Sequence, residues 1–440
     1  MTDEQQRFDT LKIHAGYHPE QHLYASSVPI YETAAFGFGD TARADRLVNF
    51  EENGYSYTRM GNPTTAVLEE RVARLEGAEE AIAVGSGMAA ITYTLLNLAE
   101  GGGEIITASN IYGSSFDEFR TLFPKYGITI IFVTDINDLQ QIESVITERT
   151  KAIFAESVTN PSTIITDVAA LAALAHARGI PLVVDNTFST PYLFQPITYG
   201  ADIVVYSSTK GLNGHGNVIS GLIVDSGQFD YRNGRFPQFD EEEFVLGNEE
   251  TGVSRSYAEA FGQRAFAARI RIKYLRLFGA VLSPFSAYLL LLGLETLSER
   301  LSKQVASAEK VAAFLAAHPH VKDVHYSSLP THPQYDLAKK YFPRGVGAIF
   351  AFVVDGTEAQ TKKLIDAVKL FSYLPNVGDA RSLIVNPGRT THREIPEATR
   401  AGNGLTNQLI RLSIGLEDVD DLIHDLDQAF ARVFDSEAVL

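Results

Sequence analysis

Between positions 185 and 210 the chain sets a carboxylate, two hydroxyls and an amine where short apolar runs give out. PLVVD (181–185) ends on Asp185, and IVVY (203–206) is followed by Ser207, Thr209 and Lys210, with Asp185 and Lys210 25 residues apart. In an open parallel sheet, ligands bind just beyond the carboxyl ends of the strands. A carboxylate half-buried in such a crevice favours a cationic partner, and a lysine there is easily depressed in pKa. Ser207 and Thr209, two apart on an extended segment, can face one anion together. The same residues also read as a helix-capping aspartate and a lysine pointing to water. A second segment, GSGMAA (85–90), follows an apolar run and begins a helix. Its small side chains leave backbone N–H groups free to cradle a phosphate at the positive helix end. It matches neither the three-glycine dinucleotide pattern nor a P-loop, which needs a lysine after its last glycine. Taken alone, such a turn is more often a simple connection.

The elements that must position these groups are written in the hydrophobic pattern. Apolar runs begin at Ala81, Ile105, Ile128, Ala152, Pro181 and Ile203, at intervals of 22 to 29 residues. Between them lie helix-like stretches such as DVAALAALAHARG (167–179). Runs that are apolar at every position, rather than at every second one, belong to strands buried on both faces. The alternation predicts a mostly parallel sheet covered by helices. Before it, Asn62 caps and Pro63 opens a predicted helix that Gly77 stops. Residues 1–62, rich in tyrosine and glycine and without a sustained period, read as an extended N-terminal arm. Residues 63–282 form the expected large domain. From 283 to 440 a second domain opens with a long helical stretch (284–318), continues with short strands at 349–354, 383–385 and 409–414, and ends on an amphipathic helix at 418–434.

Composition narrows the chemistry. With 45% hydrophobic and 21% charged residues, the 440-residue chain reads as globular, with two or three domains. A net charge of −17 argues against nucleic acid as a partner. No cysteine is present, which removes disulfides, thiol nucleophiles and thiolate metal sites. The acids of FPQFDEEEF (236–244) read as a solvated surface rather than a metal site. MTDEQQRFDTLKIH lacks the apolar run of a signal peptide, and FSAYLLLLGL (285–294) is about half of what a membrane helix needs. A soluble cytoplasmic protein is expected, with catalysis by other side chains or by a bound cofactor.

YSYTRMGNPT (55–64), GSGMAA (85–90), NIYG (110–113), VDNTFSTP (184–191), SSTKGLNGHG (207–216) and LIRLSIGLED (409–418) occur in one order over nearly the whole chain. In these motifs the chain resembles the transsulfuration enzymes of cysteine and methionine metabolism. Those are pyridoxal-phosphate enzymes with the aspartate-aminotransferase-like α/β fold (fold type I). The resemblance implies pyridoxal 5′-phosphate held by Lys210 as a Schiff base, with Lys210 later moving protons. Asp185 would pair with the pyridinium nitrogen. Backbone groups of Gly87 and Met88, with the hydroxyls of Ser207 and Thr209, would bind the phosphate. Tyr112 would stack on the ring near the leaving group, and Asn160 would contact the phenolic oxygen. Arg411 would grip the substrate carboxylate, with Asn376 and Tyr57 beside the substrate. Tyr57 and Arg59 would reach the phosphate of a neighbouring subunit, within a homotetramer of active dimers. No metal is implied. Each residue also has a plainer reading: Arg411 as a strand-end ion pair, Tyr112 as core packing, Tyr57 and Arg59 as arm surface. His215 and His392 read better as hydrogen-bonded structural groups than as catalysts.

Within the family, SYLPNVGDARSL (372–383) and the chain length lean towards O-acetylhomoserine sulfhydrylase. That subgroup would replace the acetate of O-acetyl-L-homoserine with sulfide or methanethiol, giving homocysteine or methionine. Methionine γ-lyase, cystathionine γ-synthase or O-succinylhomoserine sulfhydrylase, and a cofactor-free interaction protein are the alternatives. Ser114–Ser115, the GLNGHGN that follows Lys210, and Asn386 with Gly388–Arg389 depart from the expected pattern at the cofactor rim and substrate mouth.

Overall fold

The computed structural model describes residues 6–248 and 251–435. Twelve strands are present among them: β1 (Glu80–Val84), β2 (Gly103–Ala108), β3 (Ile128–Val133), β4 (Thr150–Glu156), β5 (Leu182–Asp185), β6 (Ile203–Tyr206), β7 (Gly221–Asp225), β8 (Val321–His325), β9 (Ile349–Val354), β10 (Ser372–Tyr373), β11 (Leu383–Val385) and β12 (Leu409–Ser413). The first seven form one sheet in the order β1-β7-β6-β5-β4-β2-β3. β3, β2, β4, β5 and β6 run parallel, and β7 is antiparallel to both β6 and β1. The carboxyl ends of β1, β2, β4, β5 and β6 therefore open onto one edge, and the loop from β6 to β7 begins and ends there.

Most of the expected elements form where the pattern places them, because burial enforces it. β4 to β7 are buried almost throughout, as two-faced covering by helices requires. β3 is the exception. Its run ITIIFV is as apolar as the others, yet it closes the sheet as an edge strand with Thr129 exposed. The capped helix Pro63–Glu76 has the Asn62 side chain accepting from the Thr64 N–H and ends at Gly77 in the left-handed conformation. Helix Val168–Ala177 follows Asp167, which accepts from the Ala170 N–H.

The second sheet has the order β10-β11-β12-β9-β8, antiparallel except for β10 with β11. β8 (VKDVH) and β10 (SY) were not expected, since polar edge strands carry no apolar run. The long helical stretch is two helices, Pro284–Glu295 and Leu297–Ala317, separated at Thr296. The N-terminal segment is more structured than an extended arm. Helix Phe8–His14 is packed closely enough to bury Lys12, and helix Thr41–Val48 is capped by Asp40. Seven- and eight-residue helices hold less than a repeat or two of apolar period, so their pattern is faint. In FPQFDEEEF, residues 240–242 are exposed, while Phe236 and Phe239 are buried around Tyr231 and Glu243 pairs with Lys273.

Candidate active site

One cavity of about 250 Å³ opens at the carboxyl edge of the seven-stranded sheet, and ten of the twelve candidate residues line it. They arrive from several different connections. Asp185 is the last residue of β5, and Glu156, the last of β4, stands opposite it in register. Ser207, Thr209 and Lys210 leave the end of β6, and Tyr112 lies in the loop after β2. The second sheet contributes Arg411 from within β12 and Asn376 from the loop between β10 and β11.

At one end of the cavity the helix Gly87–Leu98 begins directly after β1, with Ser86 as its cap accepting from the Ala89 N–H. The first N–H groups of a helix have no intrahelical acceptor, and among the described residues nothing else accepts from Gly87 or Met88. A Cβ on Gly87 would stand 2.6 Å from the Cβ of Ser207, so only glycine lets this helix start lie against the end of β6. Thr187 ties the same corner, its hydroxyl accepting from the Ser207 N–H at 2.9 Å while its own N–H donates to Asp185 Oδ1 at 2.9 Å. Free N–H groups, the positive end of a helix and the Ser207 side chain are what a phosphate cradle requires. Thr209 lines the cavity beside Ser207, with its Oγ1 donating to the Ser220 carbonyl at 3.1 Å and accepting from the Ser220 N–H at 2.9 Å. That leaves Ser207 as the hydroxyl of the pair without a protein partner among the described residues.

At the other end Arg411 is buried, with Nη1 donating to Asn160 Oδ1 at 3.0 Å and Nη2 to the Asn376 carbonyl at 3.1 Å. Burial draws its pKa down to about 10, which leaves it charged at neutral pH. The Lys210 amine donates to Asn376 Oδ1. Burial, then the neighbouring Arg411, lower Lys210 to about 8, with Asp379 pulling the other way. Asp185 and Glu156 are both raised by burial, and Glu156 further by the Asp185 charge. A cation bound between them would relieve that cost, as a protonated ring nitrogen does.

Two residues that sequence reasoning passed over shape the site. Glu156 Oε1 accepts from the Tyr112 N–H at 2.6 Å and Oε2 from the Asn160 N–H at 3.1 Å, so one carboxylate holds both loops. Its position as the last residue of a buried run, like Asp185, was the available signal. Asp379 accepts from Asn376 Nδ2 at 2.7 Å and has no such signal. His392 is buried and bonded through Nε2 to the Asn160 carbonyl at 3.0 Å, and burial, with Arg411 beside it, lowers it to about 3. It stands edge-on to Tyr112, ring centroids 6.4 Å apart. His215 Nδ1 lies 2.6 Å from the Asn213 carbonyl. Tyr57 and Arg59 do not line the cavity. Both are exposed on the arm, with the guanidinium 5.0 Å over the tyrosine ring.

Comparison with known proteins agrees with this geometry. Residues 9–431 match the model of the Cys/Met metabolism PLP-dependent enzymes. A sulfhydrylase of Gibberella moniliformis is 42% identical over 98% of this chain and 98% of its own. An O-acetyl-L-homoserine sulfhydrylase of Leptospira meyeri is 41% identical over 97% of both. A Campylobacter jejuni structure, described as an O-acetylhomoserine (thiol)-lyase with a pyridoxyl-lysine phosphate, superposes with a TM-score of 0.92. It is 36% identical and covers 96% of this chain and 99% of that one. The seven-stranded sheet, its flanking helices and the smaller second sheet are the fold type I arrangement of such enzymes. A chain that matches over this length, with a lysine, a carboxylate and a phosphate cradle around one cavity, belongs to the Cys/Met metabolism family of pyridoxal-phosphate-dependent enzymes.

Proposed function

We propose that the protein replaces the acetyl ester oxygen at the γ-carbon of O-acetyl-L-homoserine with sulfide, or methanethiol, giving L-homocysteine or L-methionine and acetate. The observation that carries this reading is the placement of Lys210, Asp185 and Arg411 around one cavity in a chain 41% identical over its length to an O-acetyl-L-homoserine sulfhydrylase. The C–O bond to acetate breaks, a C–S bond forms, and the thiol proton leaves with the acetate.

Pyridoxal phosphate, when bound, supplies an electron sink for negative charge developing at the α-carbon. Lys210 would hold it covalently, Asp185 would keep its ring nitrogen protonated, and Gly87, Met88, Ser207 and Thr209 would take its phosphate. The chain's own residues do the rest. Arg411 has five N–H donors, and Asn160 and Asn376 occupy two of them. One N–H on each terminal nitrogen remains for a bidentate grip on the substrate carboxylate. With a pKa near 8, Lys210 exchanges a proton with the α-carbon close to neutral pH. Tyr112, its backbone fixed by Glu156 and its ring against His392, lines the cavity and would stack on the cofactor ring near the leaving group.

Tyr57 and Arg59 would complete the phosphate site of a neighbouring copy, with Tyr57 also reaching its substrate. Their exposure and their absence from the cavity of their own chain support that assignment. The same reading makes the enzyme a cytoplasmic homotetramer built of such dimers, with the arm (1–62), large domain (63–282) and C-terminal domain (283–440) as its parts. Residues 1–5, 249–250 and 436–440 of these parts lie outside the described residues. Among the described residues no helix is long and apolar enough to cross a membrane.

The test is a product assay. O-acetyl-L-homoserine with sulfide should release acetate and form homocysteine, while methionine alone yields little α-ketobutyrate or methanethiol. Rapid methionine cleavage with negligible sulfide-dependent product would make the enzyme a γ-lyase and overturn the reading.

A further inference from the structure

Lys210 has a four-carbon stem whose free amine would wander unless something held it. In the structure it donates to Asn376 Oδ1, and Asn376 Nδ2 in turn donates to Asp379 Oδ1 at 2.7 Å. An amide has a donor end and an acceptor end, and a carboxylate accepts only. Asp379 therefore sets which end of Asn376 meets the lysine. Turning the amide over would place N–H groups against the ammonium and an oxygen against the carboxylate, losing both bonds at once.

Asp379 is itself fixed by the helix Leu297–Ala317 and by the loop that follows Lys210. The Gln304 side chain donates to the Asp379 carbonyl at 2.8 Å, and the Ala380 N–H donates to the Gly214 carbonyl at 2.8 Å. Gly378 has φ +77°, and a Cβ there would lie 2.7 Å from the Gly211 nitrogen. A Cβ on Gly216 would lie 2.9 Å from Asp379 Oδ2. The unusual GLNGHG after Lys210 and the NVGDA segment at 376–380 are thus two loops in direct contact, with the Lys210–Asn376–Asp379 row between them.

We propose that Asp379 is a positioning residue which, through Asn376, forms the resting site of the Lys210 amine whenever that amine is free. The assignment rests on the reading of Lys210 as the proton-moving lysine. It turns the Asn376 side chain towards the lysine and leaves the substrate carboxylate to Arg411.

The charges around this row act in known directions. Asp379 and the Asn376 oxygen favour the ammonium, whereas burial and Arg411 on β12 oppose it. Asp185, Glu156 and Tyr112 face the same cavity. His215 and Arg381 face Asp379, whose pKa is raised by burial and drawn back by Asn376 and Lys210.

The experiment titrates Lys210 in the full-length protein stripped of cofactor, by competitive acetylation with acetic anhydride across pH and peptide mass spectrometry. The wild-type midpoint should lie near pH 8. Asp379→Ala removes both the charge and the anchor of the amide, and Asn376→Ala removes the acceptor, so each should lower the midpoint by about half a pH unit or more. Asp379→Asn keeps an acceptor for Asn376 without the charge and should fall between. A midpoint in Asp379→Ala equal to or above that of wild type overturns the proposal. If circular dichroism shows that variant unfolded, Asp379→Asn decides on the same criterion. Failure of the underlying reading would show separately, as cofactor fixed by borohydride at a residue other than Lys210.

Discussion

Arg411→Ala is the substitution whose cost can be worked most fully from the structure. The guanidinium is buried, fixed on its protein side by Asn160 and Asn376, and has one N–H left on each terminal nitrogen. Removing it costs a bidentate, charge-assisted contact to the substrate carboxylate and leaves Asn160 Oδ1 without its donor. Such a loss is worth about 2–4 kcal/mol, roughly thirty- to a thousand-fold in kcat/KM. Most of it should fall on KM, because the carboxylate is bound in the ground state as in the transition state. Arg411→Lys retains the charge but not the planar fork, and should recover only part of the loss. A second consequence is independent of substrate. Arg411 presses Lys210 downward in pKa, so Arg411→Ala should raise the Lys210 titration midpoint above about 8. Steady-state kinetics with O-acetyl-L-homoserine, alongside amine titration of the stripped protein, reads both effects. An unchanged KM in a folded variant, with Lys210 titrating as in wild type, would refute the assignment of Arg411 to the carboxylate and its coupling to the lysine together.

Lys210→Ala should stay folded, abolish turnover and lose borohydride-fixed cofactor, since among the described residues no other lysine lines the cavity; fixation retained at wild-type levels would place the covalent link elsewhere. Arg59→Ala alone should weaken cofactor retention. Mixed with Lys210→Ala and allowed to exchange subunits, it should recover up to roughly a quarter of wild-type activity, because half the dimers carry one site with neither lesion. No recovery in demonstrably mixed dimers would put Arg59 outside a shared site. Glu118 is buried and its pKa is raised to about 7 by burial, with the Thr92 hydroxyl opposing. A folded-state pKa above the unfolded one means the folded protein binds the extra proton. Glu118 therefore costs stability progressively as pH rises from about 4.5 to 7, by on the order of 3 kcal/mol in full. Glu118→Gln should raise the melting temperature more at pH 8 than at pH 5, and an equal effect at both would contradict the burial argument.

The residues of the site were legible in sequence wherever a strand end or a helix start fixes them. Asp185 ends one apolar run and Ser207 and Lys210 follow another, both of which form buried strands, and the small residues of 85–90 mark a helix start, so local pattern and the sheet's geometry agree. Other features depend on contacts between segments far apart in the chain. β3 is as apolar as its neighbours, and only strand order makes it an edge. Tyr112, Asn160, Asn376 and Arg411 meet because β12 of the second sheet comes to lie against the loops after β2 and β4. Asn160 and Arg411, 251 positions apart, share a hydrogen bond that no local period encodes. Thr209 was placed with Ser207 on spacing and on the resemblance, but its hydrogen bonds to Ser220 come from the return of the chain, which no local pattern shows. Glu156 carries no motif of its own, and Asp379 sits in SYLPNVGDARSL, a segment that spoke only to the subgroup. A carboxylate's role is set by the donors that tertiary structure brings to its oxygens, and those donors sit on other elements. Sequence by itself determined which segments are apolar enough to form covered strands and which residues stand at their carboxyl ends, because an apolar run and the direction of the chain are local properties. Only the tertiary structure decided which side chains share the cavity and how their charges are shifted, because desolvation and hydrogen bonding depend on neighbours in space.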